Sequence, residues 1–443
     1  MAMNRRQFIT RGAAAGAAAS AAFSINARGA NEKVVVGLMG LRYRGSELHD
    51  MLVRHPKVEV AHIADVDTNL FKWRLREIKK TGQPAPECHQ DFRRILENKD
   101  VDALAIATPD HWHALAAILG AQAGKHVYVE KPVSHNIWEG RQMVAAAKKY
   151  GIVMQAGLQN RSMPCALEAR EFLRSRDFGD IHLVRVMNDK MRPPVAPGKD
   201  QDPPPGVDYD MWLGPAKERP FNTNHFHYTW HWFWQYSGGD IMNDGVHQFD
   251  LVRFLLGQEY PTSVYSSGGS FYFKDAQETP DTHLAHFQFP GLMMEFEQAL
   301  WTPYMKKDPH ENLDKMPPWR FNGTRIVFFG SKQQMVFARH GGGWEVWDAD
   351  GNTVHKEDSK RQDEQHIDNF VRAIREGAEL NTPIEEGHKS TLLCHYANIS
   401  YRLGGVRLDI DPRTEGFKNN GAANRDLLAK RAGRAPWVVP EEV

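Results

Sequence analysis

Cysteine is scarce in this chain, which has 443 residues and only three cysteines, Cys88, Cys165 and Cys394. Their wide spacing contains no C-x-x-C pair, so neither a disulfide framework nor a cysteine-based zinc site is indicated. An excess of one charge is also absent, because 55 basic side chains balance 55 acidic ones. This balance favours neither a nucleic acid nor an anionic membrane surface as a partner.

Long apolar runs are missing as well. After the first thirty residues no segment approaches about eighteen consecutive apolar residues, so no membrane-spanning helix is predicted. Residues 1–29 differ in character, since Arg5-Arg6 precede Phe8-Ile9 and a run rich in alanine and glycine. This order is typical of a twin-arginine export signal. We therefore predict a signal peptide over 1–29 and a mature protein that is periplasmic or otherwise extracytoplasmic.

Strands and helices alternate over residues 30–156. The pattern predicts short apolar strands at 34–38, 58–64, 103–108, 126–129 and 153–156, with helices at 46–54, 69–80, 114–123 and 138–150 between them. Apolar strands separated by helices indicate a parallel sheet that is covered on both faces. This first domain is predicted to be a Rossmann dinucleotide-binding domain.

The pattern changes after residue 157. Segments such as 181–188, 283–289 and 293–299 alternate apolar and polar residues, as half-buried antiparallel strands do. Later, Ile367, Phe370, Val371 and Ile374 fall on one face of a helix. The sequence therefore predicts a second, α+β domain over 157–411, followed by a surface arm over 412–443.

A glycine-spaced loop, Gly40-Leu41-Arg42-Tyr43-Arg44-Gly45, follows the first strand. A dinucleotide loop has the pattern G-x-G-x-x-G, and here Arg42 stands where the middle glycine is expected. The outer glycines serve the tight turn and the helix packing, and the helix start beyond them suits a pyrophosphate. Asp65 follows Gly45 by twenty residues, where an acidic side chain binds the adenosine ribose and favours NAD, although NADP is possible. The predicted cofactor contacts in this region are Gly37, Gly40, Leu41, Arg42, Arg44, Gly45 and Asp65.

Three further motifs carry a resemblance to a known family. They are "ATPDHWH" at 107–113, "VYVEKPVS" at 127–134 and "GGDIMNDGVHQFD" at 238–250. Together with the glycine loop, they resemble the Gfo/Idh/MocA family of glucose–fructose oxidoreductases and inositol dehydrogenases over about residues 33–411. The resemblance implies a Rossmann domain and a C-terminal α+β domain with a large, open, mostly antiparallel sheet. It also implies NAD(P)-dependent oxidoreductase chemistry and a homo-oligomer, a dimer or tetramer.

The resemblance also assigns site residues. It implies that Glu130 and Lys131 face the nicotinamide ring, with a cis peptide bond before Pro132. Lys131 and His247 are implied to flank the reacting carbinol, whose hydroxyl proton needs an acceptor when hydride leaves. Histidine has a suitable pKa, and a lysine beside a positive nicotinamide has a lowered one. The other cofactor contacts that the resemblance implies are Thr108, Pro109, His113, Gln159 and Asn160.

One position departs from the family pattern. The family usually has an aspartate four residues before the catalytic histidine, whereas this chain has Asn243 there and Asp244 next to it. An amide cannot accept a proton as a carboxylate does. Either Asp244 turns inward as the acid/base group, or Asn243 only hydrogen-bonds the substrate.

An aromatic segment, "FHYTWHWFWQYSGG" at 226–239, precedes the catalytic motif. Aromatic faces suit the apolar face of a pyranose, and interleaved histidines can bind hydroxyl groups. Trp230, His231, Trp232 and Tyr236 are therefore candidate substrate contacts, and a sugar, glycoside or polyol is the expected substrate. The alternative is a hydrophobic core segment. The histidines here fit no common zinc spacing, so no metal is predicted.

Two other functions remain open. Some family members use tightly held NAD to break glycosidic bonds, although the retained Glu130-Lys131-Pro132 segment disfavours this. A non-catalytic protein that binds sugars or serves assembly would accommodate Arg42 and Asn243. The detection of bound nucleotide would separate this last possibility from the two enzymes.

Overall fold

A computed structural model describes residues 33–307, 317–340, 342–424 and 433–443. The predicted signal peptide lies outside the described residues. Within the described residues, no helix is long and apolar enough to cross a membrane.

The first domain contains a parallel sheet whose strand order is β3-β2-β1-β4-β5-β6. This order reverses between β1 and β4, as in dinucleotide-binding folds. The strands are β1 (Val34–Met39), β2 (Val58–Ala64), β3 (Glu87–His89), β4 (Ala103–Ile106), β5 (His126–Glu130) and β6 (Met154–Gly157). The prediction missed β3, which has three residues and no buried side chain to show a period.

Helices cover both faces of this sheet. They are α1 (Arg44–Arg54), α2 (Asn69–Lys80), α3 (Arg93–Glu97), α4 (Asp110–Gln122) and α5 (Ile137–Tyr150). The local sequence sets the limits of α5, because the Asn136 side chain accepts a hydrogen bond from the Glu139 N–H at its start. At its end Gly151 takes the left-handed conformation, with φ 60°.

The second domain contains a ten-stranded sheet within the described residues, in the order β14-β13-β12-β11-β7-β10-β9-β8-β15-β16. All neighbouring strands are antiparallel except β7 and β10. The strands are β7 (Ile181–Asp189), β8 (Ser263–Gly269), β9 (Thr282–Phe289), β10 (Leu292–Ala299), β11 (Arg325–Gly330), β12 (Gln334–Ala338), β13 (Trp344–Trp347), β14 (Thr353–Glu357), β15 (Leu408–Asp411) and β16 (Gly416–Phe417). The predicted open, mostly antiparallel sheet is confirmed, although the strands from β13 onward were not predicted.

Several helices follow β6 along the chain. They include α6 (Pro164–Leu173), α7 (Tyr209–Leu213), α8 (Val246–Leu256), α9 (Glu364–Glu376) and α10 (Ile384–Arg402). In α8, Phe249 places its ring 5.2 Å from Phe287 and 5.1 Å from Phe296 of the sheet. By contrast α9, the helix predicted around Ile367, packs into the core of the first domain, where Phe370 lies 5.8 Å from Tyr128. A helix from the later part of the chain thus completes the hydrophobic core of the first domain.

The C-terminal segment was predicted to be a surface arm, but part of it is buried against the rest of the protein. Over its described part, β16 pairs with β15, and Trp437 is only 5% exposed. The Trp437 ring packs 5.1 Å from Trp112, and the Arg93 guanidinium lies 4.7 Å above it. A single tryptophan among prolines shows no hydrophobic period, so only the tertiary contact reveals its burial.

Trp437→Ala should destabilise the first domain, because it removes the ring that covers Trp112. Large-to-small changes of buried aromatics cost about 3 kcal/mol or more. The thermal unfolding midpoint of the full chain measures this loss. Val438→Ala is the matched control, since Val438 is 38% exposed and should stay within about 0.5 kcal/mol of the parent. Equal midpoints for the two variants would show that the segment adds no stability.

Candidate active site

A cleft of about 1150 Å³ lies where the carboxyl ends of β1, β2, β4 and β5 meet the second domain. Its position is the reversal of strand order, where parallel α/β sheets bind their ligands. Many of the predicted site residues line it, namely Gly40, Leu41, Arg42, Arg44, Asp65, Thr108, Pro109, Glu130, Lys131, Trp230, His231 and Asn243.

The glycine loop at one end of the cleft requires its two outer glycines. Gly40 has φ +91°, and a Cβ there would lie 2.5 Å from the carbonyl oxygen of Ala107. A Cβ on Gly45 would collide with the Gly40 carbonyl. This close packing brings the start of α1, at Arg44, to the cleft, as a pyrophosphate site requires.

Asp65 ends β2 beside this loop and is half-buried. Its two carboxylate oxygens accept hydrogen bonds from the backbone N–H groups of Leu41 and Asp67, each at 2.9 Å. Burial raises the pKa of Asp65 to about 6, although these two bonds oppose the shift. The carboxylate thus fixes the glycine loop and has the position expected of a ribose ligand.

The two arginines of the loop differ. Arg42 is exposed, and its guanidinium lies 5.3 Å above the ring of Tyr43. Arg44 lines the cleft but is held by Glu130 at 2.7 Å and Asp363 at 2.9 Å. Although burial opposes its charge, these carboxylates hold the pKa of Arg44 well above its ordinary value. Arg44, a predicted cofactor contact, is therefore engaged by two carboxylates of the chain, whereas Arg42 is exposed at the glycine loop.

Several predicted contacts brace the site instead of lining it. His113 is fully enclosed, and its two ring nitrogens face the carbonyl oxygens of Pro132 at 2.6 Å and Thr108 at 2.9 Å. Gln159 donates to the Glu130 carboxylate at 3.2 Å. Gly37 leaves room for Ile95, whose side chain a Cβ would strike. These three residues shape the cofactor side of the cleft from behind.

Several buried polar atoms lack a partner within the described residues, and two of them belong to predicted cofactor contacts. They are Thr108 Oγ1, on the wall of the cleft, and Asn160 Nδ2, on the turn that follows β6. Buried donors and acceptors are rarely left unsatisfied unless a ligand or water completes them. With the glycine loop and Asp65, the Thr108 hydroxyl fits a bound dinucleotide.

Lys131 stands at the other end of the cleft, and its peptide bond to Pro132 is cis, as predicted. Its Nζ donates to both the backbone oxygen of Asn243, at 2.6 Å, and the Asn243 side-chain oxygen, at 3.1 Å. Burial lowers the pKa of Lys131, while Asp244 and Glu130 oppose the shift. Lys131 is therefore a half-buried amine held by a neutral partner.

Asn243 lies on a π-helical turn, Ile241–Gly245, which runs directly into α8. Such turns are rare and are frequent at functional sites. The Asn243 amide nitrogen donates to Asp240 at 3.3 Å while its oxygen accepts from Lys131. Only an amide can make both contacts, so Asn243 positions Lys131 without placing a second charge beside it.

The surroundings of Asp244 argue against the first alternative, in which Asp244 turns inward as the acid/base group. Lys190, Lys307 and Arg339 surround its carboxylate, with Lys307 at 2.5 Å and Arg339 at 3.1 Å. Although burial by itself opposes ionisation, these cations hold the pKa of Asp244 well below its ordinary value. Asp244 is thus a permanent counter-ion, and the prediction that it exchanges protons is wrong.

His247 lies in the first turn of α8, is 6% exposed and is not among the residues that line the cleft. Burial, together with Arg339 and Lys131, lowers its pKa well below the ordinary value, and its Nδ1 has no described partner. The imidazole is therefore neutral. Its predicted role beside the reacting carbon does not match this position.

The aromatic segment divides into a cleft half and a core half. Trp232 and Tyr236 are 4% and 0% exposed and belong to a satellite core, where Tyr236 packs 4.9 Å from Trp212. Their assignment as substrate contacts does not match the structure, because neither residue lines the cleft. Trp230 and His231 do line it, and their rings stack at 3.6 Å with an angle of 19°.

His231 has a defined hydrogen-bonding state. Its Nδ1 lies 2.5 Å from the carbonyl oxygen of Tyr228, so Nδ1 carries the hydrogen and donates. Burial lowers the pKa of His231 to about 4, although this bond opposes the shift. The neutral ring therefore keeps Nε2 as an acceptor, which suits a substrate hydroxyl group.

The sequence interpretation missed several cleft residues, among them Tyr43, Asp110, His227 and Tyr228. Asp110 is 2% exposed, begins α4, and accepts a hydrogen bond from the Ser237 hydroxyl at 2.5 Å. Burial raises its pKa to about 7, whereas Ser237 and Lys131 lower it. Asp110 directly follows Pro109 in the "ATPDHWH" motif, so the motif that located Thr108 and Pro109 could also have indicated Asp110.

A histidine pair at the sheet edge is separate from this cleft. His62 Nδ1 lies 3.0 Å from His89 Nε2, and Glu87 is close enough to complete a metal-ligand set. Asn98 uses its oxygen to accept from the Asp100 N–H at 2.8 Å, so its amide nitrogen donates to His62 Nε2 at 3.0 Å. His62 Nδ1 therefore carries the hydrogen and donates to His89, which favours a hydrogen-bonded chain over a metal site.

The fold and cleft together define a two-domain protein whose first domain has the strand order and ligand-binding cleft of a dinucleotide-binding fold. Residues 33–158 match the NAD-binding Rossmann-fold domain of the Gfo/Idh/MocA oxidoreductase family, and residues 197–269 match its C-terminal alpha/beta domain. These two matches confirm the family that the motifs predicted, and the first of them is an NAD-binding domain.

Individual relatives match this chain at low sequence identity or over a short stretch. The chain is 24% identical to myo-inositol 2-dehydrogenase of Thermotoga maritima over 251 residues, which are 56% of this chain and 63% of that protein. It is 37% identical to a glycosyl hydrolase family 109 protein of Stenotrophomonas maltophilia over 135 residues, 29% of this chain and 30% of that one. The chain thus spans less than two thirds of the curated relatives that it matches.

Among solved structures, the WlbA dehydrogenase of Bordetella pertussis in complex with NADH and UDP-GlcNAcA has the same fold. Its TM-score is 0.63 at 22% sequence identity, over 86% of this chain and 99% of that one.

Asp65 should make NAD binding depend on pH. Its carboxylate form, which accepts ribose hydroxyls, predominates above its pKa of about 6, so affinity should fall as the pH drops through that value. Asp65→Asn should weaken binding about tenfold at pH 7.5, roughly 1.4 kcal/mol, and remove the pH dependence. Asp65→Ser should narrow the preference for NAD over NADP.

Titration calorimetry between pH 5 and 8 on nucleotide-stripped protein measures these affinities. Glu97→Gln is the control, since that side chain is 62% exposed and should not alter binding. A parent protein that prefers NADP would contradict the assignment of Asp65.

Proposed function

We propose that this chain is an NAD(P)-dependent oxidoreductase that acts on a CH–OH group of a sugar, glycoside or polyol. The observation that carries the proposal is a single cleft that runs from the glycine loop and Asp65 to Lys131, Asn243 and His231. Bound NAD supplies the hydride acceptor or donor. The groups of the chain must bind the substrate and move its hydroxyl proton.

Lys131 is the proposed base for that proton. The neutral amine has two N–H groups, and both can donate to Asn243. Its lone pair is then left to accept the proton of the substrate hydroxyl. Because burial lowers its pKa and its closest partner is neutral, a larger fraction of the side chain is the free amine than in water. A positively charged nicotinamide nearby would lower the pKa further.

Trp230 and His231 are the proposed substrate contacts. The stacked pair presents an apolar aromatic surface together with the free acceptor at His231 Nε2. This combination suits a polyhydroxylated ring, which has apolar C–H faces and hydroxyl edges. The name of the myo-inositol 2-dehydrogenase relative supports a cyclic polyol or sugar as the substrate class.

Lys131→Met should lower oxidation at least 10²-fold, within the range that general acid–base groups contribute, while the nucleotide content stays unchanged. A panel of sugars, glycosides, polyols and sugar acids is followed at the nicotinamide absorbance, and released nucleotide is quantified by mass spectrometry. Lys148→Met is the control, because Lys148 is exposed and pairs with Glu385 at the surface.

Full turnover in Lys131→Met would exclude this base. A parent protein that carries no nucleotide and turns over no substrate would favour the alternative of a non-catalytic sugar-binding protein.

A second candidate function is NAD-dependent glycoside cleavage through transient oxidation, elimination and re-reduction. The identity of 37% with a family 109 glycosyl hydrolase, over 135 residues, favours it. The retained Glu130-Lys131-Pro132 segment disfavours it. The same panel separates the two, since cleavage of nitrophenyl glycosides without net change in nicotinamide absorbance would replace the first proposal.

We further propose that the protein is exported by the twin-arginine route and keeps its NAD between turnovers. The Arg5-Arg6 leader supports export, and no pool of free NAD is expected outside the cytoplasm. Bound NADH would then be reoxidised by a second sugar or carbonyl compound, or the cycle would be redox-neutral. The open sheet, with Tyr265, Leu284 and Met293 about 40% exposed, is the proposed contact surface of a homo-oligomer.

The structure offers a physical basis for slow release of the cofactor. The ring of Tyr43, on the glycine loop, meets that of Tyr228, on the opposite wall, edge to face at 5.2 Å. His227 Nε2 similarly lies 3.4 Å from the Asp67 carboxylate of the first domain. Tyr43 and His227 have positive φ values of 43° and 64°, a conformation that costs about 1–3 kcal/mol each. The aromatic segment thus closes over the cleft.

Tyr228→Ala should release NAD faster than the parent, because it removes the contact across the cleft. Purified protein is dialysed against nucleotide-free buffer, and the remaining nucleotide is quantified over several days. We expect the parent to keep most of its NAD and Tyr228→Ala to lose most of it. Tyr150→Ala, at an exposed position on α5, is the control. Free exchange of NAD by the parent within minutes would contradict the proposed retention.

A further inference from the structure

Asp110 is a carboxyl group inside the cleft that the proposed reaction has not yet used. It lines the same cleft as Lys131 and Asn243 and is 2% exposed. Its Oδ2 accepts the Ser237 hydroxyl at 2.5 Å, a bond that joins the first domain to the segment before the π-helical turn. A carboxyl group that is withdrawn from water inside a cleft is a candidate for a functional group.

The groups around Asp110 define its charge. Among the described residues, Lys131 from the loop after β5 and Cys394 from α10 act on it electrostatically. Burial raises the pKa of Cys394 well above its ordinary value, so the thiol stays neutral. On its own helix, His111 faces the carbonyl of Trp212 at 3.0 Å, and His113 faces two other carbonyls. Lys131 is therefore the one cation facing Asp110 in the described part of the chain.

Asp110 can change charge near neutral pH. Burial raises its pKa to about 7, while the Ser237 hydroxyl and Lys131 favour the carboxylate. Asn243, at the position where the family usually has an aspartate, cannot take up a proton. No carboxylate of the second domain is among the described residues that line the cleft, whereas Asp110 of the first domain is one of them.

We propose that Asp110 is the proton acceptor for Lys131 and replaces the carboxylate that is absent at position 243. This inference rests on the proposed function. As the substrate O–H bond breaks, an N–H bond forms at Lys131 Nζ. That N–H bond then breaks as the proton passes through water in the cleft to Asp110, where an O–H bond forms, and the proton leaves to solvent with product release. The electron pair departs with the hydride to NAD, so only the proton passes along the chain.

The pH profile of kcat for alcohol oxidation tests the proposal in the full-length, nucleotide-loaded protein. The parent should gain activity as the pH rises through about 7. Asp110→Asn should lose this rise of kcat with pH, which is the acidic limb of the profile. Its kcat at pH 8 should fall about 100-fold, with a smaller change in KM. Ser237→Ala keeps the carboxyl but removes the bond that favours its charged form, so the limb should move to higher pH.

Thermal unfolding provides a readout that needs no substrate. Because the carboxyl binds its proton more tightly in the folded than in the unfolded chain, its contribution to stability is lost as the pH rises from about 4 to 7. Asp110→Asn removes this loss. The midpoint of Asp110→Asn relative to the parent should therefore be higher at pH 8 than at pH 5.

Three outcomes separate the possibilities. A midpoint difference that does not depend on pH would overturn the titration of Asp110, whatever the activity. A pH-dependent midpoint with an unchanged kcat limb in both variants would show that Asp110 titrates but exchanges no substrate proton, and would also overturn the proposal. No turnover by the parent, with a pH-dependent midpoint, would refute the proposed function and retain Asp110 as a titrating group.

Discussion

The cleft depends on how Lys131 is held. Its amine is half-buried, and both of its hydrogen bonds go to Asn243 in the other domain. A carboxylate at that position would stabilise the ammonium and would also face Asp240, which already accepts from the Asn243 amide. The neutral amide joins the domains at the reacting end without making Lys131 a permanent cation.

The charges nearby are arranged around this neutral contact. Lys190, Lys307 and Arg339 converge on Asp244, which is ionised at any ordinary pH. This cluster keeps Asp244 ionised close to the amine, although burial lowers the pKa of Lys307 to about 8. Asp110, whose pKa burial raises to about 7, lies on the first domain, away from this cluster.

The cofactor end of the cleft is also held by hydrogen bonds between side chains and backbone groups of different loops. Glu130 is fixed by Arg44 and Gln159, and His113 connects the loops after β4 and β5. These residues support the backbone that faces the dinucleotide instead of reaching into the cleft. Their fixed positions keep the cis peptide bond of Lys131 in place beside the glycine loop.

The sequence by itself determined the alternation of strands and helices, the glycine loop with Asp65, and the motif with Lys131. These features depend on local periodicity and on backbone conformations that only glycine or proline adopts, so they are visible one segment at a time. Tertiary structure decided which side chains of a correctly located segment face the cleft. Trp230 and Tyr236 belong to the same aromatic run, yet one lines the cleft and the other is buried in a core. Likewise Asp244 became a counter-ion and Asp110 a titrating carboxyl, because their charge states follow from partners distant in the chain, Lys190 and Arg339 for the first and Ser237 for the second.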